Sequence, residues 1–175
     1  MLNHLFSLLT LITWVTIIAT TDIVKQPEVA PSPPTKTYQT IDPDIVAFHA
    51  NEIHCLALNA YFETRNSVWD DMVATSHVVV NRVKQVGYPE TICEVVNQPY
   101  QFSWTHDGKR DVPNLSHLTE AAAWRKSILA AIGTYFDIVK DPTGGATHYH
   151  AYYVEPYWTD PNRIKIGKHY YMKVA

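Results

Sequence analysis

Basic charge is scarce in this chain of 175 residues: 14 Lys and Arg stand against 17 Asp and Glu, a net of −3. No basic field is available to hold a nucleic acid. With only two cysteines, Cys55 and Cys93, a multi-disulfide scaffold is excluded, and the absence of a Cys-x-x-Cys pair excludes a zinc ribbon. Six glycines rule out collagen-like repeats. Charged residues make up 18% of the chain and hydrophobic ones 46%, which describes a globular protein and not a disordered one. What the sequence does have is rings: eleven Tyr and five Trp, suited either to an aromatic core or to a wet binding groove.

Three segments follow one another. Leu5 to Ala19 carries no charge, and the apolar head as a whole, residues 1–24, reads as a signal peptide or a membrane anchor. Residues 25–40 contain four prolines and no apolar period, the pattern of an extended tether. Residues 41–175 form the domain, expected outside the cytoplasm, in the periplasm or cell envelope.

Within the domain, Asp42-Pro43 is a helix start. Ile53, Leu56, Ala57, Ala60, Tyr61 and Thr64 then recur at helical spacing, with Leu58 and Phe62 opposite, so the helix is expected to be buried nearly all round. Ser67 and Asp70 suggest a capping box for a second helix, whose buried face includes Trp69, Met72, Val73 and Ser76 and which ends at Gly87-Tyr88-Pro89. A short third helix is expected from Pro89 to Asn97, and a long fourth from Ser116 to about Ile138. After the Asp141–Gly145 turn the period changes to that of two strands, Ala146–Tyr153 and Ile164–Met172. The fold class is α+β, mostly helical with a small C-terminal β element.

Three places could carry chemistry. Glu63 falls at the edge of the apolar stripe near a helix C-terminus, where partial desolvation and the negative end of the helix dipole both raise a carboxyl pKa, with Arg65 opposing. A carboxylic acid still protonated near neutral pH is what glycosidic cleavage requires. The plainer alternative is a surface Glu paired with a cation. Gln101-Phe102-Ser103-Trp104, in a loop, offers hydrogen bonds and flat faces to a sugar, or else plugs a core gap. Gly144 to His150 includes His148-x-His150, which with His169 could ligate zinc or could instead line a groove with hydrogen-bonding rings. His54, His77, His106 and His117 stand singly, and no chemical part is expected of them. Cys55 and Cys93 are either buried thiols or, in an exported domain, a bridge closing a loop of about 38 residues worth roughly 3–4 kcal/mol.

Five ordered stretches resemble one family. Cys55 to Arg65 (CLALNAYFETR), Val78 to Val83 (VVVNRV), Tyr88 to Val96 (YPETICEVV), Gln101 to Trp104 (QFSW) and Gly145 to Tyr149 (GATHY) follow the order found in the SleB/CwlJ-like cell wall hydrolases. These are the spore cortex-lytic enzymes and their relatives in other bacteria and in phages, where an endolysin role is possible. The resemblance spans roughly residues 51–171. It implies a lysozyme-like, lytic-transglycosylase-like fold and cleavage of peptidoglycan between N-acetylmuramic acid and N-acetylglucosamine by a lytic transglycosylase or muramidase.

By the same resemblance, Glu63 is the catalytic acid. Gln101, Trp104, Thr147, His148 and Tyr149 line the glycan groove, peptidoglycan is the partner of a monomer, and neither cofactor nor metal is needed. A hydrolytic variant of the reaction would draw on Asp70, Asp71, Asp107 or Glu155 to engage water. Two departures stand out. Asn66-Ser67 occupy the place where most relatives have Gly-Glu, and Tyr100 and His106 stand where many have cysteines flanking the Gln-Phe-Ser-Trp segment. The rival readings are a zinc amidase using His148, His150 and His169, and a non-catalytic peptidoglycan-binding module.

Overall fold

The computed structural model describes residues 41–174; the expected apolar head and Pro-rich tether lie outside the described residues. Helix α1 (Pro43–Thr64) starts where Asp42 Oδ1 accepts the Asp44 amide at 2.9 Å, with Pro in the first turn. Its second half is the organising element. Leu56, Ala57, Ala60 and Tyr61 are buried, while Ile45, Val46 and Phe48 in the first turns are exposed. All-round burial, expected from the sequence, therefore holds only for the part of α1 that other elements surround.

Helix α2 (Trp69–Val83) runs through the centre, and residues 71–79 are buried without a break. The expected Ser67 cap does not form. The helix begins at Trp69, no side chain caps it, and the Ser67 hydroxyl donates to the Asp71 carboxylate instead. Trp69, expected in the core, is exposed, because this later start leaves it in the outward-facing first turn.

Helix α3 (Ile92–Val96) is shorter than expected. Thr91 caps it, and the buried Glu52 of α1 accepts the Ile92 amide at 2.6 Å. The Cys55–Cys93 disulfide fastens α1 to α3, which settles the alternative of free thiols. A 3₁₀ turn, Ser103–His106, follows, and then helix α4 (Leu118–Tyr135).

The C-terminal element is an antiparallel sheet of three strands in the order β1-β3-β2: β1 (His148–Ala151), β2 (Ile164–Ile166) and β3 (His169–Met172). The single strand expected over 164–172 is a hairpin turning at Gly167, whose φ is +56°. A Cβ there would lie 2.7 Å from both Asp71 Oδ2 and Ser67 Oγ, so the turn needs glycine twice over. Tyr149 pairs with Tyr171 across β1 and β3. Tyr171 packs with Ala74, Val78 and Ala146, which seats the sheet on α2. A larger core around Leu56, Val79, Phe102 and Trp104 joins the helices to the 3₁₀ turn. Among the described residues no helix is long and apolar enough to cross a membrane.

Candidate active site

Glu63 sits in the last turn of α1, half-buried, where that helix meets the sheet. Burial raises its pKa above the ordinary 4.5; the Tyr149 hydroxyl, His169 and Arg82 pull the other way without cancelling the rise. No cation lies within ion-pair distance of it among the described residues, so it is not a paired surface Glu. The cation opposing the shift is also not the expected one. Arg65 turns away toward Glu120, at 3.8 Å, and over the Tyr61 ring, while His169 and then Arg82 are the basic residues that oppose the rise at Glu63.

Two cavities meet at Glu63. One, of 670 Å³, is lined by Glu63, Arg82, Gln101, Ser103, Tyr149 and His169 among others. Its neighbour, of 240 Å³, shares Glu63, Tyr153 and His169 with it and adds Phe62, Arg65 and Lys168. Glu63 is the only carboxylate in either wall. A third cavity, of 510 Å³, adjoins them through Phe62, Arg65 and Ser103. The three make a continuous furrow passing Glu63.

Arg82 is buried in the middle of the wall. Its Nε donates to the Thr147 carbonyl at 2.7 Å, its guanidinium lies over Tyr88 and Phe102, and its Nη1 is buried without a protein partner. The Tyr149 hydroxyl is also buried and without a hydrogen-bond partner, although it stands close enough to Glu63 to favour the carboxylate. Burial pushes the Tyr149 hydroxyl well above its usual pKa, so it stays a neutral phenol.

Behind His169 lies a saturated carboxylate. Asp71 is fully buried and accepts from His169 Nδ1 at 3.0 Å, Tyr171 Oη at 2.6 Å, the Lys168 amide at 3.0 Å, and Ser67. Burial alone would raise its pKa; the hydrogen bonds outweigh it and hold the carboxyl below the usual range.

The expected groove residues divide. Gln101 and Tyr149 share the cavity with Glu63. Trp104 lines only the 510 Å³ cavity, since its ring stacks on Phe62 at 4.8 Å and its Nε1 donates to buried Asn59. Thr147 and His148 line none of the three. Thr147 is buried, its hydroxyl bonds His148 Nδ1 at 3.0 Å and its carbonyl holds Arg82, while the His148 ring packs against Trp158. Their place is behind the wall because the strand begins only at His148 and Thr147 is still turning out of the Asp141–Gly145 loop.

His148, His150 and His169 do not converge as ligands. His150 is held by Thr159 and the Ala151 carbonyl, His169 by Asp71, and among the described residues no three His, Cys, Asp or Glu side chains form a metal-sized cluster. Of the carboxylates considered for water, Asp71 is saturated, Glu155 pairs with Arg163, and Asp107 pairs with Lys109 in the 510 Å³ cavity. His106 and His117, of which nothing was expected, line the 670 Å³ and 510 Å³ cavities respectively. Arg82 is the main residue missed on chemical grounds. Its signal was available, as a charge inside the apolar run Val78–Val83.

A family model described as cell wall hydrolase matches residues 68–172, beginning downstream of Glu63. Among curated relatives, the spore cortex-lytic enzyme of Bacillus cereus is 32% identical over 133 residues, 72% of this chain and 46% of that protein. That of Halalkalibacterium halodurans is 29% identical over 68% of this chain and 34% of its own length. The chain thus spans less than half the length of these relatives. Among solved structures, the catalytic domain of the germination-specific lytic transglycosylase SleB from Bacillus anthracis matches with a TM-score of 0.53 and 30% identity, over 81% of this chain and 100% of that one. The fold, α+β with its small terminal sheet, is that of the SleB catalytic domain. With the family model covering more than half its length, this chain belongs to the cell wall hydrolase family.

Proposed function

We propose that the chain cleaves peptidoglycan glycan strands between N-acetylmuramic acid and N-acetylglucosamine as a lytic transglycosylase, with Glu63 as acid and then base. The observation that carries this reading is Glu63 as the lone carboxyl in the walls of the 670 Å³ and 240 Å³ cavities, raised in pKa by burial. Protonated Glu63 gives its proton to the bridging oxygen as the C1–O bond breaks. The Glu63 carboxylate then takes the proton from the muramic C6 hydroxyl, whose oxygen closes on C1. The product ends in a 1,6-anhydro ring and no water is consumed. Since the nucleophile belongs to the substrate, one carboxyl suffices, whereas a hydrolytic muramidase needs a second group to direct water.

Arg82, buried and short of partners, suits the intermediate stage, when Glu63 is negative. Gln101 and Tyr149 contact the sugars from the cavity wall, and Trp104 presents a ring edge farther along the furrow. Thr147 and His148 act through Arg82 and the strand, not by touching sugar. The domain is read as exported, a monomer, and carried by residues 1–24 as signal or anchor with residues 25–40 as tether. The Cys55–Cys93 bridge fits an oxidising compartment.

The test uses purified cell walls and mass spectrometry of the released fragments. The expected products are anhydro-muramic ends, lighter by one water than hydrolytic ends. Fragments with only reducing muramic ends would instead establish a muramidase.

A further inference from the structure

Peptidoglycan is not a bare sugar polymer, because muramic residues carry a peptide through the lactyl ether at C3. That peptide brings carboxylates and a free amine. If Glu63 acts at muramic C1, the stem must leave the furrow close by, on the same ring. We propose that the 510 Å³ cavity beside Phe62 seats this zwitterionic peptide stem, an inference that rests on the glycan-cleaving reading above.

The volume lies within the range of small-ligand sites. Continuity is direct, since the cavity shares Phe62 and Arg65 with the 240 Å³ cavity and Ser103 with the 670 Å³ cavity, both of which Glu63 lines. Its floor is fixed. Tyr61 is buried and donates to Glu120, Arg65 lies over the Tyr61 ring at 5.4 Å, and Trp104 is stacked against Phe62.

The wall chemistry does not match neutral sugars. Lys109 is paired with Asp107 at 2.9 Å and Arg65 approaches Glu120 at 3.8 Å, but Arg110, Asp111 and His117 have no ion-pair partner among the described residues. An N-acetyl sugar laid over them would remove water from charges and return no opposite charge, which is unfavourable. A peptide bearing both a carboxylate and an amine gives Arg110 and Asp111 one partner each. The occupant that meets both charges is therefore the stem.

The experiment uses the Glu63→Gln protein, so that strands remain uncut, and measures calorimetric binding to two soluble ligands. These are glycan strands bearing stems and the same strands stripped of stems by an amidase. Stem-bearing strands are expected to bind about tenfold tighter or more, the scale of one or two charge-assisted contacts. Adding Arg110→Ser and Asp111→Asn, both in an exposed loop, should erase that preference and leave stripped-strand affinity unchanged. Equal affinity for the two ligands, or a preference that survives the double substitution, overturns the inference. Cut strands in the Glu63→Gln sample would instead sink the assignment of Glu63 as the acid, and no binding to either ligand would sink both the stem inference and the glycan-cleaving reading.

Discussion

Two carboxyl groups withdrawn into this fold, Glu63 and Asp71, lie on either side of His169 and are pushed in opposite directions. Around Asp71 the protein supplies four donors, from a hydroxyl, a phenol, an imidazole and an amide, and the carboxylate is favoured despite complete burial. Around Glu63 it supplies walls and one nearby phenol, Tyr149, and burial prevails, so the pKa rises. The comparison separates a carboxyl that holds the molecule together from one left free to exchange a proton. Environments that drive two carboxyl groups apart in this way are how acid and structural roles are divided within a single site.

The largest expected effect comes from removing the exchangeable proton. Glu63→Gln keeps the shape and should lower wall lysis by about 10²–10⁴-fold, the usual contribution of a general acid, with the folded spectrum unchanged. At Asp71 the loss should be one of stability. Asp71→Ala leaves Tyr171 and His169 facing a buried gap, and urea denaturation should report about 3–5 kcal/mol of destabilisation. Since the folded pKa of Asp71 is depressed, its stabilisation is present above the unfolded pKa and disappears as pH falls through the folded one. If Asp71→Ala melted like the parent but lost activity, the division of roles would be wrong.

A smaller effect concerns the pH profile. Arg82 favours ionised Glu63, so Arg82→Met should move the alkaline limb of lysis to higher pH. An unmoved limb in a folded variant would remove Arg82 from the account.

The smallest effect has the most informative sign. Because burial makes the folded protein hold the Glu63 proton to higher pH than the unfolded chain does, ionisation of Glu63 works against folding at neutral pH. Glu63→Gln should therefore melt at or slightly above the parent temperature at pH 7, with the difference shrinking toward pH 4. A lower melting temperature at pH 7 would mean that the Glu63 carboxylate is a stabilising group like Asp71.

The same contrast shows what a sequence can carry. Glu63 could be singled out because its environment is mostly local: apolar spacing along α1 and a position in the last helical turn place it at a desolvated edge. Asp71 could not, because its partners Lys168, His169 and Tyr171 arrive from a hairpin nearly a hundred residues away. That hairpin was itself hidden. Residues 164–172 have strand composition throughout, and only the close approach of Gly167 to Asp71 and Ser67 explains where the chain folds back. Ser67 illustrates the converse error, since its spacing suits a cap but the helix starts after Val68 and the Ser67 hydroxyl is oriented to donate to buried Asp71. Thr147 and His148, expected in the groove, line none of the three cavities for a similar reason: strand alternation says which residues share a face, and not where a strand begins.

The central claim is that Glu63 keeps its proton beyond the ordinary range of a carboxylic acid while Asp71 gives its proton up early. Carbon-13 titration of the side-chain carboxyls in the intact protein measures both at once. The account predicts a Glu63 midpoint above 4.5 and an Asp71 midpoint below 3.8. A Glu63 midpoint at or below its ordinary value would contradict it.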